Sequence, residues 1–375
     1  MNYFQKYSKE VLLLKILAFV WFFTKIYTYK LWITDRFIPT IPVFEFLNNI
    51  PNYVHLGLLI ASLLSLILIF FRPFSKEYLV FFLFFEIFSC LLDYSRWQPW
   101  EYEYLLIFLI FIFAKNKKHI LKLIALLLIA TYIISGLHKI NGGFLFLVWE
   151  NMILFNLLKY DLNNRSLFVH YAGIIIPIIE ISIGFGLLLF KNKKFFIFSA
   201  IAMHLFVIYM LSPLGINYNQ VVIPWNFLLI IFIIILFNDE EYSLCFNEFY
   251  KFDFIFVLLV CILPLLNFIE YYDDALSFNL YSGKNKFLVI QIENIEDYPE
   301  LEINQSSNRT FKILPENAPL YINSMAMDEM KVAIYGEDRA FLIFKKQWKM
   351  KYPKVKFRYF IFKYPFNKKY VYEIK

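Results

Sequence analysis

The residues able to do chemistry sit inside apolar sequence. His170, Gly173, Pro177, Glu180 and Gly184 follow one another at spacings of three and four, which places them on one face of a helix. The rest of that run is mostly Ile, Leu and Phe. An ionised side chain at the centre of a bilayer costs roughly 2.5–3.5 kcal/mol to insert, so Glu180 must face protein, water or another charge. It lies near mid-membrane, ~18 Å from the outer end of its span at 1.5 Å per residue. The small residues on the same stripe let a neighbouring helix approach closely.

Other polar residues fall at similar spacings. Glu86, Cys90 and Asp93 are four and three apart, and Arg96 follows three residues later. An Asp93–Arg96 pair is expected at the outer interface, braced by Trp97, Pro99 and Trp100. Thr131, Ser135, His138 and Gly142 share a stripe that Lys139 borders, and a lysine at that helix end is expected to snorkel outward. His204 is a lone intramembrane histidine. Asn217, Asn219 and Asn226 are expected at a cavity mouth. Asp93, Arg96, His138, Lys139, His170, Asn217 and Asn219 thus gather at the outer ends of apolar blocks, while Glu86, Glu180 and His204 extend inward. This pattern predicts a cavity open to the outer face with an acid–base floor.

The elements that must position these residues are membrane helices. Of the 375 residues 60% are hydrophobic and 18% charged, against roughly 45–50% and 25% in soluble chains. That excludes disorder and an ordinary single-core soluble enzyme. Apolar blocks at about 11–29, 53–71, 79–93, 99–114, 121–138, 168–190, 195–212, 221–237 and 252–268 give nine predicted spans. The segment 37–52, broken by Pro39 and Pro42, reads as an interfacial or re-entrant connection. The N-terminal apolar run, preceded by Lys6 and Lys9, reads as a retained span. Basic residues favour a cytoplasmic N-terminus, which puts the C-terminus on the extracytoplasmic side. The predicted fold is an all-α polytopic bundle over residues 1–276 with a small α+β extramembrane domain over 277–375. Strands are expected at Leu288–Ile292 and Lys356–Tyr364, and a helix at Gly336–Tyr352. Nearly all of the formal +7 charge lies after Gly283, on a face suited to anionic lipid headgroups rather than nucleic acid.

Soluble-enzyme signatures are missing: no phosphate-binding or dinucleotide-binding glycine loop, no H-E-x-x-H and no G-x-S-x-G. His55, His119, His138, His170 and His204 have no paired metal spacing, and Cys90, Cys245 and Cys261 are far apart. No metal or nucleotide is therefore expected. The run Tyr132–Lys139, followed by Trp149-Glu150, resembles the vitamin K-dependent γ-carboxylase-like superfamily, including the bacterial horizontally transferred transmembrane (HTTM) domain proteins. DoxX- and MauE-like proteins are a more distant similarity. Leu92–Trp100, and Met203-His204 through Pro224-Trp225-Asn226, are similar to segments of uncharacterised membrane proteins of the same group. The resemblance covers about residues 10–270. It implies a multi-pass protein of the bacterial inner membrane, with Lys139 as the base that deprotonates a reduced quinone. His204, Glu180 and Asp93 would then accept or orient protons, with Arg96, His138, His170, Asn217, Asn219 and Asn226 around the substrate. Two other functions fit the sequence. One is a proton-coupled transporter using Glu86, Glu180 and His204; the other is a maturation or assembly factor whose C-terminal domain binds a protein partner.

Overall fold

The computed structural model describes residues 8–73, 75–238, 251–292, 319–365 and 371–374. Lys6 and Cys245 lie outside the described residues. The chain divides into two compact units. The first comprises Met1–Ile26, Ala61–Phe85 and Pro99–Gly283, and the second Tyr27–Ile60, Glu86–Gln98 and Lys284–Lys375.

The helices are α1 (Lys9–Tyr27), α2 (Asn52–Phe71), α3 (Lys76–Leu91), α4 (Pro99–Phe113), α5 (Lys117–Lys139), α6 (Leu167–Ala172), α7 (Ile175–Leu189), α8 (Lys194–Leu211), α9 (Val222–Phe237) and α10 (Lys251–Val257). Helical chain continues from α10 to Ile269. A wide π-type helix, Phe144–Leu157, follows α5, in a stretch that the sequence reading leaves as an outer loop. All nine predicted span positions are helical. Among the described residues, five runs are long and apolar enough to cross a membrane: α2, α5, Leu167–Leu189, α8 and Lys251–Ile269. Nine spans are not established, because α1 carries Glu10, Lys15 and Lys25 and α3, α4 and α9 have only 16, 15 and 16 residues.

Local chemistry sets several helix starts. Pro99 opens α4, where its missing N–H costs nothing. The Asn116 carboxamide caps α5 by accepting from the His119 N–H at 2.9 Å, and the Ser166 hydroxyl caps α6 by accepting from Val169. In the first unit, α5 is the central element: 72% of its apolar window is buried, against 22% in α8. Trp21 of α1 packs on Phe82, Tyr104 and Phe108 at centroid distances of 4.6, 5.2 and 5.1 Å. Its indole N–H donates to the buried Glu101 carboxylate at 2.8 Å.

Glycines bring α5 and α7 together. A Cβ on Gly136 would meet Ile181 Cγ1 at 2.6 Å and the Pro177 carbonyl at 3.1 Å; one on Gly184 would meet Ile133 Cγ1 at 2.6 Å. Each helix thus carries a glycine where the other's side chains and backbone press in, as the His170–Gly184 stripe predicts. Gly136→Ala is expected to cost about 1–3 kcal/mol by overpacking this contact. Gly57→Ala, with nothing within 4 Å of its Cβ, is expected to be neutral or stabilising. Detergent-solubilised thermal unfolding of the two variants checks the contrast.

The second unit is α+β. Its antiparallel sheet has the order β2-β1-β3-β4, with β1 Phe287–Ile292, β2 Pro319–Tyr321, β3 Phe357–Phe362 and β4 Val371–Glu373. Val289 is paired with Tyr321 on one side and Phe360 on the other. Helices α11 (Ile322–Met330) and α12 (Asp338–Lys351) complete it, with Phe341, Phe344 and Trp348 fully buried. Two earlier segments fold into the same unit. The Glu329 carboxylate accepts from the backbone N–H groups of Phe37 and Ile38 at 2.6 and 2.9 Å. Lys351 donates to the carbonyls of Arg36 and Phe37 at 3.1 and 2.8 Å.

Candidate functional site

Helix α5 presents Tyr132, Ser135 and Lys139 along one face, three and four residues apart. The glycine contact sets α7 beside that face and brings Glu180 within reach. The Lys139 ammonium donates to both Glu180 oxygens, at 2.9 and 2.8 Å, and to Ser135 Oγ at 2.5 Å. All three donors of the lysine are used. The two charged side chains are only 12% and 10% exposed, so the pair stands in a largely dehydrated setting where charges interact strongly. Lys139 does not snorkel outward from the end of its helix; it turns back toward Ser135 because Glu180 supplies the stronger partner.

A second hydrogen-bonded chain joins α5, α8 and α9. Asn226 Nδ2 donates to the Val222 carbonyl at 2.8 Å, so Asn226 Oδ1 is the atom facing His204 Nδ1 at 2.7 Å. That oxygen only accepts, which requires the proton of a neutral His204 on Nδ1. His204 Nε2 is then the acceptor for the Tyr132 hydroxyl at 2.5 Å. The amide therefore fixes the tautomer, and the tautomer makes Tyr132 a donor.

Both groups face one cavity of about 150 Å³. A cavity of about this size in another protein accepts a benzene ring. Leu128, Val148, Trp225 and Leu229 give the wall its apolar character, and Phe278, Leu280 and Tyr281 line one side. The Tyr281 hydroxyl accepts from Asn219 Nδ2 at 2.8 Å. Asn141 ties the adjoining segment to α5 by donating to the carbonyls of His138 and Ser282. Behind the wall, Trp225 donates to the fully buried Glu103 carboxylate at 2.7 Å. Glu180 and His204 are the cavity's only acid and histidine among the described residues.

No family model matches the chain, and no curated protein or solved structure is significantly similar to it.

The structure brings Lys139, Glu180, His204 and Asn226 to the cavity, with Asn219 one hydrogen bond behind Tyr281. Asn217 is an exposed turn residue with φ of 50°, and its side chain accepts from Gln220. His138 is fully buried and stacks on Phe268 at 4.3 Å. His170 contacts Glu150, which also pairs with Arg165, and neither lines this cavity.

Asp93 and Arg96 belong to the second unit, and the expected pair between them does not form. Helix α3 stops at Leu91, and the Asp93 carboxylate instead caps a 3-10 turn by accepting from Ser95 N–H at 3.0 Å. Its cationic partner is Arg36. Arg96 donates to the Leu31 and Ser89 carbonyls, to Ser89 Oγ, and contacts His55 Nδ1 at 2.9 Å. Burial lowers the Arg96 pKa to about 10, with Asp93 opposing the shift, so it is still a cation at neutral pH. Glu86 is also buried in the second unit. The sequence reading does not single out Tyr132, Glu103 or Tyr281. Tyr132 was within reach, seven residues before Lys139 on the same stripe.

Proposed function

We propose that the cavity binds a lipid-soluble compound with an acidic hydroxyl, of the hydroquinone or phenol class, and removes its proton. The observation that carries this is the Lys139 ammonium, held by Glu180 and Ser135 inside an apolar chamber. A hydroxyl placed beside the pair gives its proton to the Glu180 carboxylate. The O–H bond breaks, a carboxylic O–H bond forms, and the oxyanion replaces Glu180 as the counterion of Lys139. Net charge in the chamber is zero before and after, so no uncompensated ion is created away from water. Lys139 thus acts as anion holder and Glu180 as base, because a lysine that already donates three hydrogen bonds has no lone pair to offer. Tyr132, oriented by His204 and Asn226, is a donor for a second oxygen on the same ring.

This reading keeps the substrate class that the γ-carboxylase-like resemblance implies and moves the base from Lys139 to Glu180. The proposal includes a bacterial inner membrane, which the resemblance implies, and a cytoplasmic N-terminus, which the basic-residue bias favours.

The test uses a chromogenic nitrophenol added to protein in vesicles, buffered below the probe's own pKa. The wild type is expected to bind it as the anion, seen by its absorbance, with no proton released because Glu180 keeps it. Glu180→Gln should still bind the anion through Lys139 but release a proton to the medium for each probe bound. Lys139→Met should abolish the anion band. An anion band that persists in Lys139→Met sinks the proposal.

A further inference from the structure

The cavity is lined on one side by the segment that follows the last membrane-length helix and on another by α7 and α8. On the first side stand the buried Phe278 and the half-buried Leu280 and Tyr281, held by the Asn219–Tyr281 and Asn141–Ser282 hydrogen bonds. The second side, at α7 and α8, includes the most exposed of these residues. There the lining residues are Ile176, Met203, Phe206 and Val207. Ile176, Met203 and Val207 are half-buried, and Phe206 is 42% exposed. Their outward neighbours Ile175, Ile179, Leu205 and Tyr209 are exposed and apolar or amphipathic. Both helices belong to runs long and apolar enough to span a membrane. An opening between two such helices, rimmed by hydrocarbon, faces lipid rather than water.

One feature suits this edge to a flexible occupant. Met203, unbranched and conformationally adaptable, forms part of the rim.

We propose that the α7–α8 opening is a lateral portal that holds the hydrocarbon tail of an amphiphilic substrate, so that the substrate reaches the chamber from the bilayer. The chamber takes the polar ring; Ile176, Met203, Phe206 and Val207 take the first part of the chain; the rest stays in lipid. The inference rests on the proposed function for the identity of the head, and on the portal geometry for the tail.

A long-chain 4-alkylphenol with a diazirine midway along its chain provides the test, with full-length protein in phosphatidylcholine vesicles. In the wild type, adducts that excess non-photoreactive alkylphenol displaces are expected at 175–179 and 203–209. Ile176→Phe combined with Val207→Phe should lower displaceable labelling roughly tenfold, the loss expected when about two methylene groups no longer reach their site. Displaceable adducts confined to 212–221 or 275–283 overturn the portal, as does labelling spread over all lipid-facing residues with none displaced. The wild-type adduct map decides this even if the double variant fails to fold. Rim adducts without ionisation of the nitrophenol probe keep the portal and remove the acid–base reading. Ionisation with adducts elsewhere does the reverse.

Discussion

Lys139→Met is expected to destabilise the protein by about 3–5 kcal/mol, the cost of stripping one partner from a buried ion pair. Glu180 would then be left in an apolar chamber with its two lysine hydrogen bonds gone. Glu180→Met should cost a similar amount, because the ammonium keeps only Ser135. The double variant Lys139→Met/Glu180→Met should recover most of the loss. Both side chains have a long apolar stem that a methionine imitates, and a well-packed apolar pair is often as stable as the ion pair it replaces. The coupling energy from the full cycle, read by thermal unfolding in one detergent, is therefore large and favourable. Function should not follow stability: the double variant should show no nitrophenol ionisation. A double variant as unstable as the sum of its parents would show that other residues, rather than this pair, fix the contact.

That separation of stability from function also explains what the sequence makes readable. A stripe at three- and four-residue spacing tells which residues share a helix face. For His170, Gly173, Pro177, Glu180 and Gly184 it correctly implies a close neighbour, and Gly184 does pack on α5. It cannot name that neighbour. Lys139 and Glu180 are 41 residues apart, and their meeting depends on which helix lies against Gly136 and Gly184. The Tyr132–His204–Asn226 chain is hidden for the same reason, since its three members come from three helices. The α+β character of the C-terminal region is legible because aromatic and β-branched runs mark β1 and β3. The contribution of Tyr27–Ile60 and Glu86–Gln98 is not, because those segments join through contacts far apart in sequence, such as Glu329 with Phe37 and Ile38 and the packing of Phe37 on Trp348 and of Tyr94 on Tyr335. Asp93 and Arg96 show the remaining limit. Their three-residue spacing promises a pair only if the helix continues, and α3 ends before either is reached.

The buried charges of the second unit should behave differently from those of the cavity. Asp93 and Arg96 are fully buried and Arg36 is 7% exposed, so Asp93→Asn removes the carboxylate charge beside Arg36 while keeping an acceptor of nearly the same shape. The expected loss is about 3–5 kcal/mol, read as earlier proteolysis of the second unit and a lower unfolding temperature. Arg358→Gln, which breaks a pair with Glu373 whose partners are 48% and 34% exposed, should cost only about 0–1 kcal/mol. The decisive comparison is with the apolar rescue that the cavity pair permits. Arg36 also donates to the carbonyls of Ile38, Lys30 and Leu31 at 2.8, 3.2 and 2.8 Å. Asp93 also accepts from the backbone N–H of Ser95 and of Ile41. Replacing both side chains by methionine would take these partners from the backbone groups, of which the Leu31 carbonyl still keeps Arg96, and each one left buried without a partner costs about 1–3 kcal/mol. Arg36→Met/Asp93→Met is therefore expected to be at least as unstable as either single variant, whereas Lys139→Met/Glu180→Met recovers. A charge pair that organises backbone cannot be exchanged for hydrocarbon. The pair in the cavity can, because its hydrogen bonds end on side chains.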